Sequence, residues 1–180
     1  MCTSDAGCAE FARSYRCHGI DTSLREHRFI RLGHNFRMSE ITALIGLTSI
    51  RRIDEAQKLR DRVARYYNER FAESDCSLPQ SHSGGITAWF KYPLLLPEGW
   101  DGDLFRTLCA ERGVACTSCY WPPVHRQPYY ASTVAPEQFP VAEAVLRRTV
   151  ALPVFPELST DQMRHVADTV IGILTKAGTP

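Results

Sequence analysis

Only three lysines, Lys58, Lys91 and Lys176, stand among the basic side chains; the rest are arginines. A lysine amine is the side chain that forms Schiff bases with carbonyl groups, so any such chemistry in this chain has those three to draw on. Seven cysteines are present, an odd number at irregular spacing, and Cys116 and Cys119 form a single CxxC. A structural zinc site needs about four ligands, and no second CxxC supplies them. A thioredoxin-type pair needs its first cysteine at a helix N-terminus, where the dipole lowers the thiol pKa. Here the flanks, Val114-Ala115 and Tyr120-Trp121, read as a strand. Two small buried side chains are the better reading, with a redox or metal protein kept as a remote third hypothesis. The arginines between residues 51 and 70 suggest either an anion site or a solvated helix face. The acid-before-base pairs Asp54–Lys58 and Asp61–Arg65, four residues apart, favour the face.

The elements that must position these residues follow from period and punctuation. Residues 4–17 form a short helix with Ser4 as N-cap and Phe11 and Tyr15 on one face. Residues 19–37 are polar and basic, with His18, His27 and His34 in or beside them, and show no period; they are expected to lean on other protein. From Ser39 to Phe71 the apolar positions are helical, and Gly46 with Thr48-Ser49 predicts a break into two helices. Residues 73–85 are a Ser, Pro and Gly-rich loop. Residues 87–96 and 114–120 read as strands, with a helix between them that Asp101 caps and Gly113 stops. A Pro and aromatic loop, 121–139, leads to a helix opened by Pro140. Residues 149–152 read as a strand, and Ser159 with Gln162 is a capping-box start for a last helix. From about residue 86 the order is β-α-β-α-β-α, a compact α+β unit within the broad α/β class.

Composition narrows the function classes. The 180 residues carry 21 basic and 20 acidic side chains, a formal net charge of +1, with 44% hydrophobic residues. That balance argues against a nucleic-acid or membrane-surface binder and against disorder. No apolar run reaches a membrane span, no secretory leader is visible, and unpaired thiols suit a cytoplasmic protein.

Residues 33–46, GHNFRMSEITALIG, resemble the G-x-N-x-R-M-S-E-x-x-A-x-x-G signature of the DegT/DnrJ/StrS family of sugar aminotransferases. Other segments match in order. Residues 88–93, AWFKYP, resemble the family's A-W-Y-K-Y strand. Residues 121–130, WPPVHRQPYY, resemble its P-P-x-H-x-Q-P-x-Y loop. Residues 139–143, FPVAE, and 152–159, LPVFPELS, resemble its F-P-x-A-E helix and L-P-x-x-P-x-L-S turn. Residues 3–5 and 16–19 fit the strand end and the R-N-H-G that follow its lysine segment.

The resemblance implies the C-terminal part of a fold-type-I, pyridoxal 5′-phosphate-dependent transferase. Residues 1–37 would be a remnant of the large cofactor-binding domain, 38–72 a connecting helix pair, and 86–180 the small α+β domain. It also implies sites. Asn35 would reach across a dimer to the cofactor phosphate; its other role would be to cap the following helix. Arg37 would lie near a nucleotide-sugar pyrophosphate, or else be salt-bridged structurally. His125 and Tyr130 would lie close to the sugar, or else tether their loop. The family's Schiff-base lysine falls upstream of the position matching Met1, and none of the three lysines stands in its place. Two readings follow. The chain is a split or truncated aminotransferase, inactive without a complementing lysine-bearing half, or it is a noncatalytic scaffold that associates with an intact relative. Either is expected to be a self-associating, homo-oligomeric or partner-seeking chain.

Overall fold

The computed structural model describes residues 2–26, 28–80, 85–130, 135 and 138–176. His27, residues 81–84 of the Ser/Pro/Gly loop, residues 131–134, 136 and 137 of the aromatic loop, and the side chain of Lys176 lie outside that description. The chain forms two compact units, Met1–Arg52 and Ile53–Pro180.

The N-terminal unit starts with α1 (Ala6–Tyr15). Its N-cap is Asp5 rather than Ser4: the Asp5 carboxylate accepts from the Cys8 amide at 2.6 Å, and a carboxylate suits the positive end of the helix. After α1 the chain turns through His18 and Gly19, both at positive φ. It then folds back on itself, bridging Ile20 to Phe29 and Cys17 to Asn35. The aperiodic stretch is therefore held by backbone hydrogen bonds, among them Phe36 N to Arg16 O at 2.8 Å and His34 N to Tyr15 O at 2.8 Å. Its aromatic rings stack in a row, Phe11 on Tyr15 and His34 on Phe36. Yet among the described residues before Ile53 the buried class holds only Ser14 and Gly19. The unit has geometry without an apolar core.

This unit ends with α2 (Glu40–Arg51), capped by Ser39, whose Oγ accepts from the Thr42 amide at 3.2 Å. The expected break at Gly46 does not occur. The Thr48 and Ser49 hydroxyls donate to the Leu44 and Ile45 carbonyls, both at 3.0 Å. They are satisfied within the helix, which runs on to stop at Arg52.

The second unit begins with α3 (Ile53–Phe71). Val63, Tyr67 and Phe71, at i, i+4 and i+8, are fully buried. The helix thus belongs to the core of this unit, which starts earlier than the residue-86 boundary read from the sequence. The sheet is antiparallel in the order β1-β3-β2, with β1 (Tyr92–Leu95), β2 (Thr117–Ser118) and β3 (Thr149–Leu152). Interleaved are α4 (Gly102–Ala110) and α5 (Pro140–Arg147), and α6 (Thr160–Lys176) closes the chain. Phe105 and Cys109 of α4, and Met163, Val166, Ala167, Val170 and Ile173 of α6, complete the core with the strands. The capping box is present: Ser159 N donates to Gln162 Oε1 and Gln162 N to Ser159 Oγ, at 2.9 and 3.2 Å. Asp101 caps α4 through the Asp103 and Leu104 amides.

Both outer strands are shorter than their sequences suggest. Trp89 has a φ of 45°, which breaks the extended chain and turns its indole into the core, where Nε1 donates to Asp61 Oδ1 at 3.1 Å. Tyr120, at φ 61°, ends β2 in the same way. At the start of β2, Val114 is spent on the exit from α4, its amide bonding the Cys109 carbonyl at 3.0 Å. The Ser/Pro/Gly loop gains one strand-like residue, Ser77, which exchanges two backbone bonds with Leu95. Of the helix-face pairs, Asp61–Arg65 forms an ion pair at 2.6 Å.

Candidate active-site residues

Asn35 and Arg37 come together in the N-terminal unit. The bridge to Cys17 fixes the backbone at Asn35, and Arg37 Nε donates to Asn35 Oδ1 at 2.9 Å. Ser39 caps α2, so Asn35 is not the helix cap. Among the described residues Arg37 forms no ion pair with a carboxylate. Both side chains are exposed. With its carbonyl oxygen engaged, Asn35 presents its amide nitrogen as a donor beside a guanidinium, a donor set that suits a phosphate oxygen.

His125 and Tyr130 lie in the second unit, on the loop that opens with the cis Trp121–Pro122 peptide. A 3₁₀ turn, Val124–Arg126, directs His125 and Arg126 at one carboxylate. His125 Nε2 lies 2.6 Å from Glu143 Oε1, and Arg126 Nε donates to the same oxygen at 2.5 Å. The His125 ring packs on Phe139, 4.8 Å between centroids. These contacts tie the loop to α5, the tethering role for His125. The hydrogen bond from Arg126, and then that from His125, holds the Glu143 carboxyl below its ordinary range. Tyr130 is exposed, with its ring edge-on to Tyr129 at 5.0 Å. Sequence reasoning passed over Glu143 as a functional partner, although the F-P-x-A-E match contains it.

Glu143→Gln is expected to free His125 and Arg126 and to expose the 121–130 loop to protease while the unit stays folded. Limited proteolysis beside a thermal melt checks this. The same release is expected in acid. A carboxylate with a depressed folded pKa stabilises above its unfolded value, near 4.5, and that stabilisation goes as the pH falls through the folded value. Equal protease sensitivity of wild type and variant would remove the tether.

Of the lysines, Lys91 and Lys58 have described side chains. Lys91 Nζ donates to Ser118 O at 3.2 Å and sits 4.5 Å over the Tyr120 ring. Lys58 is exposed on α3. Cys116 pairs with Cys109 of α4 rather than with Cys119; their thiol hydrogen bond lowers the pKa of Cys109 and raises that of Cys116. Burial raises Cys119 separately. All seven cysteines are free thiols, and no cluster of His, Cys, Asp or Glu among the described residues can hold a metal ion. No described helix is long and apolar enough to cross a membrane.

Comparison with known proteins agrees with the fold and the motifs. The spore coat polysaccharide biosynthesis protein SpsC of Bacillus subtilis is 30% identical over 152 residues, covering 81% of this chain and 39% of SpsC. A UDP-N-acetyl-3-dehydro-α-D-glucosamine 3-aminotransferase of Acidithiobacillus ferrooxidans is 29% identical, over 93% of this chain and 44% of the enzyme. Among solved structures, a DegT DnrJ EryC1 StrS aminotransferase from Brucella abortus superposes with a TM-score of 0.81 at 28% identity. DesV of S. venezuelae does so with 0.84 at 26%. Each structure is matched by 95% of this chain, which covers 44% and 45% of them respectively. The chain thus spans less than half the length of these relatives, and its helices and small antiparallel sheet correspond to the C-terminal half of a fold-type-I aminotransferase. The family's sequence profile matches residues 1–171. The chain belongs to the DegT/DnrJ/EryC1/StrS aminotransferase family.

Proposed function

We propose that the chain is the C-terminal part of a pyridoxal 5′-phosphate-dependent aminotransferase for a nucleotide-linked keto-sugar. Polypeptide beyond these 180 residues would supply the lysine that carries the cofactor. The observation that carries this reading is the hydrogen bond from Arg37 Nε to Asn35 Oδ1, 2.9 Å, which leaves the Asn35 amide free to donate beside a guanidinium. The pair fits the phosphate end of the cofactor, since both groups donate and one is cationic. When bound, the cofactor supplies the electron sink through which an amino group passes from donor to sugar. Asn35 would donate to the phosphate, and Arg37 would hold the Asn35 carbonyl and add positive charge toward a pyrophosphate. His125, through Glu143, would keep the 121–130 loop and Tyr130 beside the sugar. Lys91 is engaged with Ser118 and Tyr120, which speaks against its serving as the cofactor lysine. A cytoplasmic location and an oligomeric working form belong to the same reading.

The test is complementation. The purified chain alone is expected to hold no cofactor and to transfer no amino group. Produced together with the lysine-bearing half of the fold, it is expected to do both. Asn35→Ala should weaken cofactor retention by the pair about ten- to a hundredfold, the effect of removing a hydrogen bond of about 1.5–3 kcal/mol to a charged group. Unchanged retention would remove Asn35 from the site. Transamination by the chain alone would overturn the need for an outside lysine. A complex that forms but never retains cofactor would make the chain a binding module instead.

A further inference from the structure

We propose that a cavity of about 420 Å³, where α3 and α6 end, binds a small organic amine whose ammonium group sits on an apolar body that also carries an oxygen acceptor. The volume falls within the roughly 300–1,000 Å³ of small-ligand sites. Pro97, Trp100, Ile171 and Leu174 supply apolar walls, and Glu73 and Asp75 line the cavity beside them. The core sets this arrangement. Phe71 at the end of α3 and Val170 and Ile173 of α6 are buried together. Ile171 and Leu174 of α6 are left half-buried next to the turn that follows α3. A turn from Pro97, whose carbonyl accepts from the Trp100 amide at 3.4 Å, brings in the indole, and Phe105 holds it edge-on at 5.5 Å. None of the described lining residues belongs to the N-terminal unit or to the 121–130 loop. The site is therefore separate from Asn35, Arg37 and His125 and does not rest on the aminotransferase reading.

Charge and one unmet donor decide the occupant. Arg70, the basic residue in the last turn of α3, also lines the cavity, but its guanidinium is paired with Asp168. Glu73 and Asp75 form no ion pair among the described residues, so the cavity holds two uncompensated carboxylates. The last carbonyls of α3 and α6 add negative partial charge at the same end, where a cation is favoured. Trp100 is the second, independent pointer. It is 7% exposed, yet its indole N–H meets no acceptor among the described residues, whereas the indole of Trp89 donates to Asp61. A buried indole N–H ordinarily finds a partner, and an oxygen on the ligand completes this one. An anion is repelled by Glu73 and Asp75. A purely apolar molecule leaves both carboxylates and the indole N–H unserved.

The test is a titration of the full chain with tyramine, which joins a primary ammonium, an aromatic body and a phenolic oxygen. It is followed by nuclear magnetic resonance at the Trp100 indole N–H, the signal that Trp100→Phe removes. A saturable shift of that signal is expected. The anion para-hydroxyphenylacetate, with a carboxylate in place of the ammonium, should give none at the same concentrations. Phenethylamine, which lacks the oxygen, should bind about fivefold more weakly, roughly 1 kcal/mol for one hydrogen bond. Glu73→Gln with Asp75→Asn should weaken tyramine binding about tenfold, roughly 1.4 kcal/mol for two exposed carboxylates. Both side chains are exposed, so the thermal melt of this double variant should match the wild type. No saturable shift overturns the inference, as does equal binding of the anion or unchanged binding by the double variant. Equal binding of tyramine and phenethylamine overturns the part given to the Trp100 N–H. No cofactor and no lysine-bearing half is added, so failure here and failure of the aminotransferase reading give different results.

Discussion

Tyr67→Ala is expected to lower the stability of the second unit by about 3–5 kcal/mol, the usual cost of removing a large aromatic side chain from a core. A loss of that size is a large fraction of the roughly 5–15 kcal/mol that holds a typical domain folded. Tyr67 is fully buried, packed edge-on against Tyr92 at 5.1 Å and alongside Phe71 at 5.9 Å. Its hydroxyl donates to the Pro153 carbonyl at 3.0 Å. Tyr67→Phe keeps the ring and loses only that donor, so it should cost about 1–2 kcal/mol. Urea titrations of the two variants separate packing from hydrogen bonding; equal losses would show that the ring contributes nothing beyond its hydroxyl. Burial raises the pKa of both Tyr67 and Tyr92 above the ordinary tyrosine value of 10. A phenol whose folded pKa is raised stabilises below its unfolded pKa, and that contribution is lost as the pH rises past it. The wild-type unit should therefore lose stability above about pH 10, and Tyr67→Phe should lose less of it.

Gly33→Ala is expected to undo the N-terminal unit while leaving the second intact. A methyl group at Gly33 would lie 2.1 Å from the Gly19 nitrogen and 2.6 Å from the His18 carbonyl carbon, and backbone cannot swing aside. Gly19 is equally constrained: its Cβ would meet the Arg31 carbonyl oxygen at 1.8 Å, and its φ of 77° suits glycine. The two glycines are where the folded-back strands cross. The cost should be about 3 kcal/mol or more, in a unit with no apolar core to oppose it. Amide exchange at His18, His34 and Phe36, whose hydrogen bonds close this crossing, should become fast, and Asn35 should lose its fixed position. Gly46→Ala is the control. Its Cβ meets nothing within 4 Å, so it should stabilise α2 by about 1 kcal/mol. If Gly33→Ala leaves exchange at these amides unchanged, the crossing is not what holds the segment.

Helices with a clear period and a polar cap were legible from residues alone. Asp101, Pro140 and the Ser159–Gln162 box all sit where the capping rules put them. The errors have local causes. Gly46 signals a break only if its helix has something to bend around, and Thr48 and Ser49 instead donate back to the Leu44 and Ile45 carbonyls of the same helix. Trp89 and Tyr120 looked like strand aromatics, but a positive φ at a bulky residue leaves no mark in composition. At the candidate site the identities of Asn35 and Arg37 were visible through the motif. Their mutual hydrogen bond was not, because it depends on a bridge to Cys17 eighteen positions earlier. Glu143 was hidden for the same reason: its partner loop lies on the far side of residues that carry no pattern.

The order of the sheet has a consequence for synthesis. β1 and β2 do not touch; each pairs only with β3, which lies at the centre and is the last of the three to leave the ribosome. Nearly 60 residues separate Tyr92 from its partner Leu152. Until that strand appears, both outer strands have unpaired edges, and the aromatic face around Tyr67 and Tyr92 is uncovered. α6, which supplies Met163 to Ile173 to the core, arrives later still. A nascent chain is thus exposed to mispairing until both β3 and α6 have emerged. Premature termination anywhere before α6 should yield an insoluble fragment rather than a smaller domain.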